Sequence, residues 1–177
     1  MAPLDAQLLA PPAAGAAVSD AIRTQHVQAV LDALKRRSPI YTTILPTMTL
    51  HSAEQGKVVC RLVLDAMHVN SRGSLHGAVS ATIVDMTTGM AIASWDLRDT
   101  TGASVDMHLS YLGTAMVGDE LEITATSEKV GGSLAFVTIR IEKIGLGGVR
   151  TPVTLAQHTK FVRSSPNNPS TGVNTPI

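Results

Sequence analysis

The sequence predicts an α+β fold in which an antiparallel sheet of five to six strands packs its apolar face on one long helix. An apolar stretch with helical period lies in the middle of the chain, within residues 70–95. One or two segments with strand character precede it, and three or four follow it. This order of elements is typical of α+β domains. Since one small sheet leaves edges unpaired, we expect it to pair with a second copy of the chain.

The composition excludes several classes of function. Basic and acidic residues number 14 each and aromatic residues make up 3%, so neither a basic patch nor a stacking surface for nucleic acid is expected. No apolar run is long enough for a membrane span. The single cysteine, Cys60, excludes an internal disulfide and is expected to be an inert structural thiol. A cytoplasmic location is therefore expected, with mitochondria as the alternative.

The chain is expected to hold one domain, residues 19–163, between two tails. Residues 1–18 are rich in Ala and Pro without a sustained period, and residues 164–177 are rich in turn residues. A mobile leader without a targeting segment and a disordered tail are therefore predicted. Ser19 is a suitable N-cap for a predicted helix over residues 19–37.

Six segments are predicted to be strands. The alternation is clearest after the central helix, where Val105, Met107 and Leu109 alternate with polar residues as in a half-buried strand. Glycine-rich turns separate the later segments, so the last three or four strands are expected to form an antiparallel meander. The predicted strands cover residues 40–50 with a break at Pro46, 57–68, 103–111, 120–129, 133–144 and part of 151–162.

The central helix carries one acid, Asp85, away from its apolar stripe. Asp85 lies beside small residues, so this side of the helix can pack against a partner element or leave a cavity for a substrate. Both arrangements would place the carboxylate in surroundings drier than bulk water. The apolar stripe consists of Val79, Ile83, Met86, Met90 and Ala93.

The common catalytic and cofactor motifs are missing from the sequence. There is no GxSxG, HExxH or CxxC, and the glycines at 145, 147 and 148 do not form a nucleotide-binding GxGxxG. The six histidines lack metal-ligand spacing. We therefore expect neither a metal nor a cofactor.

Three residues of the central segment admit both a structural and a catalytic interpretation. Asp85 alone could be an exposed or capping carboxylate, His76 a structural histidine and Gly77 a tight-turn residue. Taken together, they place free N–H groups at a helix start and an acid on the same helix, a combination suited to oxyanion binding and base catalysis.

The same residues resemble a known family. Asn70, Leu75-His76-Gly77 and Asp85, followed by Ser104-Val105-Asp106-Met107 and Tyr111-Leu112, resemble the hotdog-fold acyl-CoA thioesterases. The resemblance is closest to the PaaI-like and thioesterase superfamily member 2 (acyl-CoA thioesterase 13) branch. It runs from about residue 40 to 162 and includes the closing His158-Thr159-Lys160.

The resemblance implies a long helix wrapped by the sheet, a homodimer with active sites between protomers, and commonly a homotetramer. Gly77 would donate its N–H to the thioester carbonyl with help from Asn70, and His76 would lie near the thiol. The partner's Asp85 would act as general base toward water, or as nucleophile, with Ser104 orienting the water.

The resemblance also implies where coenzyme A binds and what the protein does. The implied contacts are Tyr111, Leu112, Gly113, Lys129, Gly131, Gly132, Ser133 and Lys160. The expected activity is hydrolysis of acyl-CoA to a carboxylic acid and coenzyme A, with coenzyme A as part of substrate and product. A non-catalytic acyl-CoA binding or sensing module is the alternative. Hydratase chemistry is ranked last, because His76 and Asp85 do not form its usual motif.

Overall fold

A computed structural model describes residues 18–163 of the chain. The predicted tail, and the predicted leader up to residue 17, lie outside the described residues. Within them the elements follow in the order α1 (Asp20–Arg37), α2 (Pro39–Ile44), β1 (Thr49–Glu54), β2 (Lys57–Val63), a 3-10 turn (Ala66–His68), α3 (Gly77–Asp96), β3 (Ala103–Tyr111), β4 (Glu120–Val130), β5 (Leu134–Ile144), a second 3-10 turn (Leu146–Gly148) and β6 (Arg150–Phe161).

One antiparallel sheet packs on the long helix α3. Its strand order is β1-β2-β4-β5-β6-β3, and all six strands contact α3. The inward side chains of the sheet and most of α3 form one aliphatic core. The predicted stripe lies inside this core, with Val79, Ile83, Met86, Met90 and Ala93 all buried. The predicted α+β fold, a sheet with its apolar face on a long central helix, is confirmed.

The predicted strand over residues 40–50 is wrong. The chain instead forms the short helix α2 and then β1, which begins at Thr49. Pro39 occupies the first turn of α2, where its fixed φ suits a helix and its missing N–H costs no hydrogen bond. This local effect overrides the strand preference of the β-branched and aromatic residues that follow. As a consequence, Tyr41 points inward from α2 and is buried.

The predicted meander is confirmed for three strands, and the predicted half-buried strand over residues 103–111 is confirmed at Met107 and Leu109 but not at Val105. Strands β4, β5 and β6 are consecutive neighbours, but β3 pairs with β6 and forms one edge of the sheet. A bulge at Val105 interrupts the alternation of β3, and Val105 is 57% exposed. The other edge of β3 has no strand partner within residues 18–163.

The small-residue side of α3 is partly covered by the chain itself. A Cβ on Gly89 would lie 2.6 Å from Cβ of Thr101, in the loop between α3 and β3. Gly89 therefore permits a close approach of this loop to the helix. Asp85 lies one helical turn earlier, and its neighbours are polar.

Candidate active site

Asp85 lies at the centre of a network of polar side chains from three other elements. The Tyr41 hydroxyl of α2 donates to Oδ2 of Asp85 at 2.6 Å. The Lys160 ammonium of β6 donates to Oδ1 at 2.8 Å. The hydroxyl oxygen of Ser104, on β3, lies 3.4 Å from the same Oδ1. The Asp85 side chain is 33% exposed while that of Lys160 is 5% exposed, so the carboxylate can be reached from solvent and its cationic partner is enclosed.

The surroundings keep Asp85 ionised and Tyr41 protonated. Burial, the largest influence, acts to raise the pKa of Asp85. The hydrogen bonds from Lys160 and Tyr41 and the Lys160 charge together outweigh burial, so the pKa lies below its ordinary value. Burial and the hydrogen bond to Asp85 raise the pKa of Tyr41 far above its ordinary value. At neutral pH the pair is a carboxylate that accepts a hydrogen bond from a neutral phenol.

A buried histidine extends this network behind Ser104. Nδ1 of His158 lies 3.0 Å from Oγ1 of Thr88, and Nε2 lies 3.0 Å from Oγ of Ser104. The Thr88 hydroxyl donates to the Val84 carbonyl at 2.7 Å, so its oxygen is left to accept from Nδ1–H. Nε2 can then accept the single hydroxyl proton of Ser104, whose oxygen remains free to accept from water.

His158 is neutral near pH 7. Burial, followed by the charge of Lys160, lowers its pKa from 6.5 to about 4, although Asp85 and Asp106 act in the opposite direction. The imidazole is 1% exposed and therefore stays in place. These properties suit a fixed acceptor for Ser104 better than a proton carrier at neutral pH.

A second group of candidate residues lies at the start of α3. His76 is the N-cap, and its Nδ1 accepts from the Ala78 N–H at 3.0 Å. The Gly77 N–H has no hydrogen-bond acceptor within residues 18–163. The Tyr111 hydroxyl donates to the Gly77 carbonyl at 3.4 Å. A free N–H at the positive end of a helix dipole is suited to an oxyanion.

Asn70 holds the loop that leads into α3. Its Oδ1 accepts from the Arg72 N–H at 2.9 Å, and its Nδ2 donates to Oγ of Ser74 at 3.0 Å. The side chain thus closes a turn over residues 70–74. Its polarisation of a substrate carbonyl stays a prediction.

The predicted coenzyme A contacts fall at opposite ends of β3. Tyr111, Leu112 and Gly113 lie at its C-terminal end, near Gly77, and Tyr111 is 60% exposed. The hairpin that contains Lys129, Gly131, Gly132 and Ser133 lies at the other end, because Ser133 accepts from Val162 and Ala135 pairs with Lys160. Lys160 itself points inward to Asp85.

The structure therefore brings together Asp85, Ser104 and Lys160, and separates them from His76, Gly77 and Tyr111. Eight residues of helix place Asp85 about 12 Å from Gly77. Seven residues of strand place Ser104 about 23 Å from Tyr111. The candidate residues of one chain thus form two separate groups.

Sequence reasoning missed three members of the Asp85 network. Tyr41 was missed because its helix was predicted as a strand. Thr88 and His158 were not assigned roles. Strand alternation was a usable signal for His158, since it shares a face of β6 with Lys160 two residues later.

Neither a metal cluster nor a membrane-spanning helix is found in the described part of the chain. No group of three His, Cys, Asp or Glu side chains there could hold a metal ion. No helix over residues 18–163 is long and apolar enough to cross a membrane.

Comparisons with known proteins point to one family. The model of the family described as "Thioesterase superfamily" matches residues 72–149. The chain is 34% identical over 139 residues to "Acyl-coenzyme A thioesterase 13" of Homo sapiens, covering 78% of this chain and 96% of that protein.

Two solved structures show the same likeness. The crystal structure of zebrafish thioesterase superfamily member 2 is similar with a TM-score of 0.67 and 34% identity, covering 82% of this chain and 99% of the other. A hypothetical thioesterase with coenzyme A from Streptococcus pneumoniae has a TM-score of 0.64 and 20% identity, over 75% and 98% of the two chains, and is a likeness of fold alone.

Proposed function

The chain belongs to the thioesterase superfamily, and we propose that it hydrolyses acyl-CoA thioesters to a carboxylic acid and coenzyme A. The predicted hotdog fold and family are confirmed by the structural and sequence relatives. The observation that carries the catalytic assignment is the ionised Asp85 carboxylate, fixed by Tyr41 and Lys160 and still open to solvent. Such a group can take a proton from water.

The site is shared between two protomers on this proposal. Asp85 and Gly77 of one chain are too far apart to act on one carbonyl, as their separation of about 12 Å along the helix indicates. Antiparallel pairing of two free β3 edges about a two-fold axis would place the Ser104 end of one strand beside the Tyr111 end of the other. Gly77 of one protomer would then approach the partner's Asp85.

The reaction is a general-base hydrolysis. The thioester carbonyl oxygen accepts from the Gly77 N–H, which stabilises the negative charge that develops there. Water attacks the carbonyl carbon while the partner's Asp85 takes one of its protons, and Ser104 holds the water by accepting its other hydrogen. The tetrahedral intermediate then collapses, the carbon–sulfur bond breaks, and coenzyme A leaves as a thiolate that takes up the proton held by Asp85.

Coenzyme A would bind in the same seam between protomers. Two-fold pairing brings Tyr111, Leu112 and Gly113 of one chain close to the hairpin of residues 129–133 of the other. Lys129 is exposed there and can bind a phosphate group of coenzyme A. For Lys160, its enclosed ion pair with Asp85 favours a role in the acid's environment over contact with coenzyme A.

We also propose a homotetramer made of two such dimers, and a cellular compartment for the protein. The outward-facing side chains Leu134, Phe136 and Phe161 are exposed and offer an apolar surface for a second dimer, giving a homotetramer. The single, buried Cys60, whose thiol pKa burial raises to about 12, suits a reducing compartment, the cytoplasm or mitochondria.

A thiol-release assay over short, medium, long and aromatic acyl-CoAs tests the activity. We expect free coenzyme A to appear in many turnovers per site, with kcat/KM of about 10⁴ M⁻¹s⁻¹ or more for the best substrate. Binding affinity for the same compounds is measured in parallel. Tight binding of a thioester with no release of thiol would contradict the proposal and favour the binding or sensing module.

A further inference from the structure

We propose that Tyr41 is a positioning residue that makes Oδ2 of Asp85 the oxygen that accepts the proton of the attacking water. The inference rests on the proposed function and adds a residue to it. The two carboxylate oxygens of Asp85 have unequal surroundings.

Oδ1 of Asp85 is the more occupied oxygen. It accepts from the Lys160 ammonium at 2.8 Å, and the Ser104 hydroxyl oxygen lies 3.4 Å away. A bound ammonium lowers the basicity of the oxygen it contacts more than a neutral donor does. Oδ1 is therefore the oxygen that anchors the side chain.

Oδ2 of Asp85 is the more available oxygen. Within residues 18–163 its hydrogen-bond donor is the Tyr41 hydroxyl, at 2.6 Å. A carboxylate oxygen has two lone pairs, so one of them remains for water. The Tyr41 bond fixes the rotation of the carboxylate about its last torsion and so aims this lone pair.

Tyr41 is held rigidly enough to do this. Its ring is buried, and α2 ties it at both ends, because the Tyr41 N–H donates to the Ser38 carbonyl at 3.1 Å and the Leu45 N–H donates to the Tyr41 carbonyl at 2.9 Å. The preceding helix α1 is itself tied to the end of α3, since Arg23 donates to the Ser94 carbonyl. Rigid support of this kind is what a catalytic carboxylate needs.

The ionisable groups that face Asp85 set the pH dependence. They are Tyr41 from α2 and Lys160 and His158 from β6, and Asp106 of β3 acts on His158. A hydrogen bond to the ionised form holds a carboxyl pKa down, so its removal raises the pKa of Asp85. The acid limb of the pH–kcat profile must then move to higher pH, because protonated Asp85 is inactive as a base.

Tyr41→Phe tests the proposal, since it removes the hydroxyl and keeps the buried ring. We expect kcat to fall about ten-fold, with KM changed by no more than about two-fold and the acid limb moved to higher pH. The matched control is Thr42→Val, which removes a hydroxyl from the next residue of α2. That hydroxyl bonds the carbonyls of Lys35 and Ser38 and does not contact Asp85. A Tyr41→Phe profile that coincides with the unaltered protein, or a Thr42→Val profile with the same shift, would overturn the proposal.

A second measurement needs no turnover. The chain contains two tyrosines, so Tyr111→Phe leaves Tyr41 as the single site for 3-fluorotyrosine. We expect ¹⁹F NMR to show this phenol titrating at lower pH when Asp85→Asn removes the negative charge beside it. An unchanged titration would overturn the Tyr41–Asp85 contact even if the thioesterase assay succeeds, and a shifted one would support the contact even if that assay fails.

Discussion

Asp85→Asn is expected to lower kcat for acyl-CoA hydrolysis by about 10³-fold, the contribution typical of a positioned general base. The amide keeps the size of the carboxylate and an oxygen that can accept from Lys160 or Tyr41, so the site stays assembled. The ability to take a proton from water is lost, together with the negative charge that pairs with Lys160. The measurement is steady-state thiol release, with KM, thermal midpoint and oligomeric state recorded for the same samples.

Asp85→Ala is expected to lower kcat as much as Asp85→Asn does and also to destabilise the protein. It leaves the Lys160 ammonium enclosed without a carboxylate, which costs about 3–5 kcal/mol for a fully buried pair and less here, because Asp85 is partly exposed. A folded Asp85→Asn or Asp85→Ala protein with an unchanged rate would refute the role of Asp85. The loss of stability in Asp85→Asn relative to the unaltered protein reports the lost charge of the ion pair, and the difference between the two variants reports the volume and hydrogen bonds of the amide.

Gly77→Pro is expected to lower kcat by about 10²–10³-fold, the cost of losing one oxyanion donor. Gly77 is the first residue of α3, where proline fits a helix, and the preceding His76 has the extended ψ of 135° that proline requires. The change therefore removes the free N–H with little damage to the helix. The new ring will press on Tyr111, since even a Cβ at this position lies 3.1 Å from its hydroxyl oxygen.

Gly77→Ala is the matched control for this substitution. It adds the same Cβ against Tyr111 and keeps the N–H. The ratio of kcat between the two variants therefore removes the effect of the Cβ and reports the N–H together with the two further ring carbons of proline. Equal rates for Gly77→Ala and Gly77→Pro would mean that the Gly77 N–H does not stabilise the transition state.

Periodicity in the sequence predicted most of the fold. The helix α3, its buried stripe and five of the six strands follow from local apolar patterns, which burial against one core imposes directly. The strand prediction for Pro39–Ile44 was wrong because the composition of this stretch favours a strand, while one residue, Pro39, favours a helical first turn. The edge position of β3 was not predicted, because strand order depends on contacts between distant segments.

The same limit applies to the site. Asp85, Ser104 and Gly77 were predicted as site residues from their spacing and the family resemblance. The partners of Asp85 were not, because Tyr41 and Lys160 lie 44 and 75 residues away in sequence and only folding brings them together. Lys160 shows the consequence, since the sequence predicted it as a coenzyme A contact and did not predict its ion pair with Asp85.

Complementation between two inactive chains tests the shared site most directly. Asp85→Asn and Gly77→Pro chains are co-expressed with different tags, and assemblies that carry both tags are purified. A mixed dimer of the proposed kind has one site with both substitutions and one with neither, so activity should recover to about a quarter to a half of that of the unaltered protein. Mixed assemblies no more active than the two parent variants would contradict a site built from Gly77 of one protomer and the partner's Asp85.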